Sequence, residues 1–129
     1  MTIFSKIIAG EIPCYKIAEN EKFIAFLDIE PLVTGHVLIV PKIEINKIFD
    51  LPDDYLSAML VFAKPVAHAI EKTFDCMRCG ICVIGLEVPH AHMHLVPINT
   101  ANDINFTRPK LAPAAEAMKI TAEKIIANL

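Results

Sequence analysis

Three of the five histidines in this chain occupy alternate positions within the segment Pro89–Pro97. They are His90, His92 and His94, and small or apolar residues separate them. Successive side chains of an extended strand project to opposite faces, so residues two positions apart share a face. The pattern therefore predicts a strand with a histidine face. The opposite, core-facing side of this strand is expected to carry Ala91, Met93 and Leu95.

The spacing of these histidines limits what they can bind. At a rise of about 3.3 Å per residue, His90 and His94 would lie roughly 13 Å apart on a straight strand. Zinc binds imidazole nitrogen at about 2.0–2.1 Å, so one ion could not take all three histidines as ligands. A wider ligand, such as a phosphate group with its two substituents, matches the spacing better.

Five segments have the apolar, β-rich composition and the flanking turn residues that are typical of strands. They are Tyr15–Ala18, Phe23–Ile29, His36–Val40, Arg78–Ile84 and His90–Ile98. Only short stretches join the first three segments, which favours an antiparallel meander over parallel crossovers.

Three helices are expected beside this sheet. Apolar residues at helical spacing predict a short helix over residues 3–9, a long helix that starts within Asp50–Asp54, and a terminal helix over Ala114–Asn128. Pro65 lies inside the long helix and should kink or divide it. The predicted fold is α+β, a single domain over residues 1–129 with about five antiparallel strands, one long helix and two shorter ones.

Charge and composition restrict the partners. The formal net charge is −3 and the basic residues are scattered, which argues against nucleic acid as a partner. Hydrophobic residues make up 54% of the chain and the mean hydropathy is +0.48, so we expect a homo-oligomer that buries apolar surface. The N-terminal segment has no signal-peptide pattern, and no run of about 18 apolar residues occurs. We therefore expect a cytoplasmic protein with no membrane partner.

Three of the four cysteines form a Cys-x-x-Cys-x-x-Cys pattern at Cys76, Cys79 and Cys82. Such a pattern can indicate zinc binding or redox chemistry. Cys79 and Cys82 fall in a predicted strand, where an odd offset places them on opposite faces. We therefore favour small buried thiols in a reducing compartment and keep metal or redox work as the alternative.

Histidine is also the best candidate nucleophile. The chain contains neither a Gly-x-Ser-x-Gly turn nor a glycine-rich phosphate loop. Imidazole can act as nucleophile, proton donor or phosphate ligand near neutral pH. Attack of a ring nitrogen on phosphorus would give a covalent phosphohistidine and divide one displacement into two steps. We expect His92 to attack, with His90 and His94 beside it to bind the charged oxygens.

Several motifs together resemble one family. The run His90–Val96 resembles the His-x-His-x-His-x-x signature of the histidine triad family of nucleotide hydrolases and transferases. Ile3–Pro13, Phe26–Ile29 with Pro31, and Gly35–Lys42 are similar to its earlier blocks, in the same order along residues 3–98. The resemblance implies the histidine triad fold, a homodimer with joined sheets, and activity like that of the phosphoramidase branch.

The resemblance also implies roles for individual residues. His92 matches the family nucleophile, His94 matches a ligand of the α-phosphate, and His90 and His36 match supporting histidines. Asp28 matches the acid that binds the ribose hydroxyls, since a carboxylate can accept both hydrogens of a cis-diol. The apolar walls around the base, usually a purine, match Ile3, Phe4, Ile7, Phe26 and Ile29.

The chain departs from the family pattern just before the triad. Many members have Gln and Ser phosphate donors where this chain has Leu86 and Glu87. Glu44 stands where many members have a further histidine, and Ser5 and its neighbours offer no cysteine for the zinc that some bacterial members bind. We expect no metal and no cofactor.

The expected function is hydrolysis of a purine nucleoside 5′-monophosphate conjugate, such as a phosphoramidate, through a nucleotidyl-His92 intermediate. Within the family, dinucleotide polyphosphate hydrolysis and nucleotidyl transfer are the alternatives. Outside this chemistry, the alternatives are a weakly catalytic nucleotide-binding module and a zinc-dependent hydrolase.

Overall fold

A computed structural model describes residues 1–129 as an α+β structure, which confirms the predicted fold class. The five strands are β1 Lys16–Glu19, β2 Phe23–Leu27, β3 Val37–Pro41, β4 Arg78–Cys82 and β5 Met93–Ile98. The three α-helices are α1 Ile3–Ile8, α2 Asp53–Thr73 and α3 Ala115–Ala127. Two 3₁₀ turns, Ile48–Asp50 and Ala101–Ile104, had no counterpart among the predicted elements.

The strands form one antiparallel sheet in the order β1-β2-β3-β5-β4. The predicted meander is confirmed for β1 to β3. The chain then passes through α2 to the far edge, where β4 forms, and β5 returns between β3 and β4. Hydrogen-bonded ladders on both sides thus hold β5, so His94, the one histidine within this strand, lies in the interior of the sheet.

The two faces of the sheet pack against different helices. One face joins α2 and α3 in a core that contains the predicted residues Ala91, Met93 and Leu95. The other face carries Phe26 and Leu38, and it packs under Phe4 of α1. His94 pairs with Leu38 across the β3–β5 ladder, so His94 lies on the α1 face.

β5 is shorter than predicted. It begins at Met93, so His90, Ala91 and His92 precede the strand, and the straight row of three histidines is wrong. Hydrogen bonds from His90 to residues distant in the sequence bend the chain there, as described below. Asp28 and Ile29 similarly lie just beyond the end of β2 instead of inside it.

α2 is a single helix that includes Pro65, so the predicted division is wrong. Proline removes the N–H that would reach the carbonyl of Val61 four residues earlier. Val61 is on the exposed side of the helix, where water can bind that carbonyl. None of the helices combines the length and apolar character needed to cross a membrane.

Gly35 determines the backbone turn that leads into β3. Its φ is +99°, and a Cβ at this position would clash with the ring of Phe74. Both the backbone conformation and the close approach require glycine. This turn positions His36 directly before β3.

Cys79 and Cys82 lie on opposite faces, as the strand argument predicts, but all four cysteines are only partly buried, so the prediction of buried thiols is wrong. Cys79 pairs with Pro97 and packs on the core face, whereas Cys82 pairs with His94 and lies on the α1 face. All four cysteines are free thiols. Burial raises the pKa of Cys79 to about 12, which disfavours the thiolate that metal binding and redox attack require.

Candidate active site

A cavity of about 480 Å³ opens on the α1 face of the sheet. Its polar lining includes His92, His94 and Asp28. Its apolar wall includes the predicted base-contacting residues Ile3, Phe4, Ile7, Phe26 and Ile29. His36 and His90 are almost completely buried and do not line the cavity.

The hydrogen bonds of His92 define its tautomer. Its Nδ1 lies 2.7 Å from the carbonyl oxygen of His90. A carbonyl can only accept, so Nδ1 carries the hydrogen, and Nε2 of the neutral ring keeps its lone pair. Burial lowers the pKa of His92, which favours this neutral form. The ring also makes an edge contact with Phe4 at a centroid distance of 5.0 Å. His92 can therefore offer a nucleophilic Nε2.

A second chain of hydrogen bonds orients His94. The Leu32 amide donates to Nδ1 of His36 over 3.1 Å, so the hydrogen of His36 is on Nε2. Nε2 then donates to Nδ1 of His94 over 2.9 Å, which leaves the hydrogen of His94 on its own Nε2. Burial lowers the pKa of His36 to about 4 and that of His94 to about 3. His94 is thus a neutral hydrogen-bond donor in the pocket wall.

His90 connects the triad to the N-terminus of α1. Its Nε2 donates to the Pro41 carbonyl over 2.9 Å, and its Nδ1 lies 2.8 Å from Oγ1 of Thr2. The same hydroxyl accepts the Ser5 amide and caps α1. Glu44 accepts from the Thr2 amide and from the Ser5 hydroxyl. His90 is therefore a structural link behind His92, and the sequence interpretation missed Thr2.

Asp28 presents one free carboxylate oxygen to the cavity. Its Oδ1 accepts the Glu30 amide over 2.9 Å, while Oδ2 lies 3.7 Å from Nε2 of His36. The latter contact is not an ion pair at neutral pH, because burial holds His36 in its neutral form. Burial also raises the pKa of Asp28. The free oxygen is placed to accept hydrogen bonds from a ligand.

Ligand atoms of Asp28, His36 and His94 all lie within 4.8 Å of one another, a spacing that a metal ion could bridge. The hydrogen-bond pattern opposes this use. To bind a metal through Nε2, neutral His36 would need its hydrogen on Nδ1, which would then face the Leu32 amide hydrogen. The three residues are better suited to a proton-ordered network than to a metal centre.

The segment after β5 covers the pocket, which the sequence did not predict. Phe106, Thr107 and Lys110 line the cavity, and the Phe106 ring lies 4.6 Å from that of His94. The Lys110 Nζ lies 3.7 Å from Oε1 of Glu87. A lone aromatic residue within a polar stretch was the only sequence signal for this contact.

Leu86 and Glu87 both line the cavity, but they face solvent at its mouth. Leu86 is 88% exposed, and the Glu87 side chain is 81% exposed. The predicted loss of side-chain phosphate donors at these positions is therefore consistent with the geometry.

Comparison with known proteins identifies the family. The HIT domain model matches residues 9–101, which is most of the chain. The chain belongs to the HIT domain family. HIT stands for the histidine triad that the sequence indicates at His90, His92 and His94.

Three relatives in yeasts are named adenosine 5′-monophosphoramidase. The Saccharomyces cerevisiae protein is 41% identical over 96 residues, which cover 74% of this chain and 61% of the relative. This HIT chain thus matches less than two thirds of that protein's length. The Schizosaccharomyces pombe protein is 32% identical over 98% of this chain and 97% of its own.

A solved HIT-like structure from Bartonella henselae supports the fold over the whole chain. The TM-score is 0.87 at 27% identity, and the match covers 99% of this chain and 96% of that one. That protein is described as involved in cell-cycle regulation and contains an unknown ligand.

Proposed function

We propose that this HIT protein is a nucleotide hydrolase that cleaves purine nucleoside 5′-phosphoramidates and similar conjugates. The observation that carries the proposal is the hydrogen bond from His92 Nδ1 to the His90 carbonyl, because it leaves Nε2 unprotonated in the pocket. The names of the yeast relatives support adenosine 5′-monophosphoramidate as a substrate class.

In the first step, Nε2 of His92 attacks the α-phosphorus and the phosphorus–nitrogen bond breaks. The leaving amine takes up a proton from solvent water and departs, and a nucleotidyl-His92 remains. The His92 ring then carries a positive charge, which the His90 carbonyl stabilises by accepting from Nδ1. His94 donates from Nε2 to a non-bridging phosphate oxygen, because its Nδ1 is occupied by His36.

In the second step, water attacks the phosphorus and the bond to Nε2 breaks. The products are the nucleoside monophosphate and neutral His92, and the proton taken up in the first step is returned. Asp28 accepts from the ribose hydroxyls through its free oxygen. Ile3, Phe4, Ile7, Phe26 and Ile29 enclose the base.

Dinucleotide polyphosphate hydrolysis and nucleotidyl transfer would use the same intermediate with another leaving group or acceptor. The weakly catalytic binding module is favoured by one observation, the lack of donors at Leu86 and Glu87. Measured turnover separates these functions. A zinc-dependent hydrolase is disfavoured by the proton arrangement around His36.

We also propose a homodimer that joins two sheets through β4. β4 is an edge strand, and Ile81, Val83 and Ile84 on or beside it are exposed apolar residues. An exposed apolar edge strand is suited to pairing with another strand. Ile81→Lys should shift the protein from dimer to monomer in light scattering. An unchanged dimer would exclude this interface.

The cytoplasmic location and the lack of nucleic-acid partners stay predictions, as does the single domain over residues 1–129.

The variant His92→Asn tests the proposed nucleophile. We expect loss of at least about a hundredfold in turnover of adenosine 5′-phosphoramidate, with AMP binding retained. Rapid alkaline quench of the wild-type protein, which preserves an acid-labile phosphorus–nitrogen bond, should trap a nucleotidyl adduct that the variant lacks. His68→Asn is the control, because His68 lies on the exposed side of α2 away from the pocket. Wild-type turnover by His92→Asn would overturn the mechanism.

A further inference from the structure

The pocket has an unusual charge balance for a phosphate site. Lys110 is its only lysine or arginine, whereas Asp28, Glu30 and Glu87 are acidic. The two histidines in the lining cannot supply the missing charge, since burial lowers the pKa of both His92 and His94. A bound nucleoside phosphate adds further negative charge. One cation must therefore offset several anions.

The fold holds Lys110 close to the triad from two sides. On one side, the Leu111 amide donates to the Pro31 carbonyl over 2.9 Å, just beyond β2. On the other, Phe106 packs its ring against His94 at 4.6 Å. The charge of Lys110 adds to burial in lowering the pKa of His94, which is consistent with this proximity. The segment carries its ammonium group to the pocket lining.

Lys110 has a weak ion-pair partner in Glu87. Its Nζ lies 3.7 Å from Oε1 of Glu87, and the Glu87 side chain is 81% exposed. Exposed ion pairs of this kind contribute little stability, whereas an ammonium–phosphate contact inside a pocket is charge-assisted and better shielded. Replacement of the carboxylate by a phosphate is therefore favourable.

We propose that Lys110 is the phosphate-binding cation of this site, and that Glu87 is its resting partner, which a nucleoside monophosphate group displaces. This inference rests on the proposed function. It gives the site a phosphate ligand in place of the donors that Leu86 and Glu87 do not supply. It also assigns Glu87 a role that opposes phosphate binding by competing for Lys110.

Calorimetric titration with AMP and with adenosine isolates the phosphate contribution. In Lys110→Met, we expect AMP to bind roughly tenfold more weakly, while adenosine binds as to wild type. In Glu87→Gln, AMP should bind more tightly, because Lys110 is released. The preference for AMP over adenosine should fall with added salt in wild type and much less in Lys110→Met.

Opposite effects of the two variants distinguish this role from a structural one, since loss of a merely structural ion pair would weaken both proteins alike. Lys110→Arg should retain most of the AMP preference, and Lys119→Met, on the exposed side of α3, should retain all of it. An AMP preference that survives Lys110→Met overturns the inference alone. A wild-type protein with no AMP preference overturns both the inference and the proposed function.

Discussion

The hydroxyl of Thr2 offers the sharpest test of how the N-terminus supports the triad. It accepts the Ser5 amide at the start of α1, and it lies 2.8 Å from Nδ1 of His90. Nε2 of His90 donates to the Pro41 carbonyl, so Nδ1 of the neutral ring is an acceptor and the Thr2 hydroxyl is its donor. Thr2→Val removes the hydroxyl and keeps the shape of the side chain.

Two losses determine the expected magnitude. Loss of the N-cap costs about 1 kcal/mol, and a buried acceptor left without a donor costs about 1–3 kcal/mol. His90 is completely buried, so water cannot replace the donor without rearrangement. The Ser5 hydroxyl, 3.5 Å from Nδ1 of His90, can recover part of the second loss only by giving up its hydrogen bond to Glu44. We therefore expect Thr2→Val to lower the free energy of unfolding by about 2–3 kcal/mol.

We expect Thr2→Val to affect catalysis as well as stability. Thr2 caps the helix that carries Phe4 over the His92 ring, and the His90 carbonyl holds Nδ1 of His92 at 2.7 Å. We expect Thr2→Val to raise KM through the loosened apolar wall and to lower kcat through His92. The assays are urea unfolding and steady-state hydrolysis of adenosine 5′-phosphoramidate.

The control is Thr2→Ser, which keeps the hydroxyl and should remain close to wild type in both assays. Adding Ser5→Ala to Thr2→Val should lower stability further, because it removes the remaining hydroxyl near His90 together with its hydrogen bond to Glu44. If Thr2→Val and Thr2→Ser agree within about 0.5 kcal/mol and show the same kcat/KM, the link between α1 and the triad does not operate.

Three further predictions concern the buried histidines His36 and His94, the turn residue Gly35 and the pocket residue Asp28. The pKa is about 4 for folded His36 and about 3 for folded His94, whereas both histidines have a pKa near 6.5 in the unfolded chain. The unfolded chain therefore binds more protons below pH 6.5, and the free energy of unfolding should fall as the pH drops below that value. Urea titrations at stepped pH measure this dependence, and a flat profile would contradict it. Gly35→Ala should destabilise the protein by at least about 1 kcal/mol, because an alanine is strained at φ +99° and its Cβ would clash with Phe74. An unchanged urea midpoint would contradict this expectation. Asp28→Asn should raise KM about tenfold for an adenosine conjugate but much less for its 2′,3′-dideoxy analogue; equal increases would exclude ribose binding by this group.

Much of the fold could be predicted because its signals are local. Alternation in the segment around His92 and Met93 separates a polar face from a core face, whatever the rest of the chain does. Short connections between the first three strands leave few topologies other than a meander. These features depend on neighbouring residues, so a single sequence is enough to reveal them.

The different structural positions of His90, His92 and His94 could not be predicted in the same way. His90 leaves the strand because its ring bonds to Thr2 and Pro41, which are 88 and 49 residues away in the sequence. Those contacts exist only once α1 and β3 are in place. Lys110 and Phe106 escaped prediction for a similar reason, since a polar segment without periodicity gives no indication of where it folds back.

The position of β5 explains why a strand can carry this chemistry. β3 and β4 hold the backbone of His94 by ladders on both sides, so a fixed hydrogen-bond chain from Leu32 can define its tautomer. His92 lies just outside the strand, where its Nδ1 is free to bond to the carbonyl of His90. The proposed donor to phosphate, His94, thus lies inside the sheet, and the proposed nucleophile, His92, lies just before β5 begins. Neutral rings at both positions leave the charge of the phosphate to be met from elsewhere, and Lys110 is the group in the pocket that can meet it.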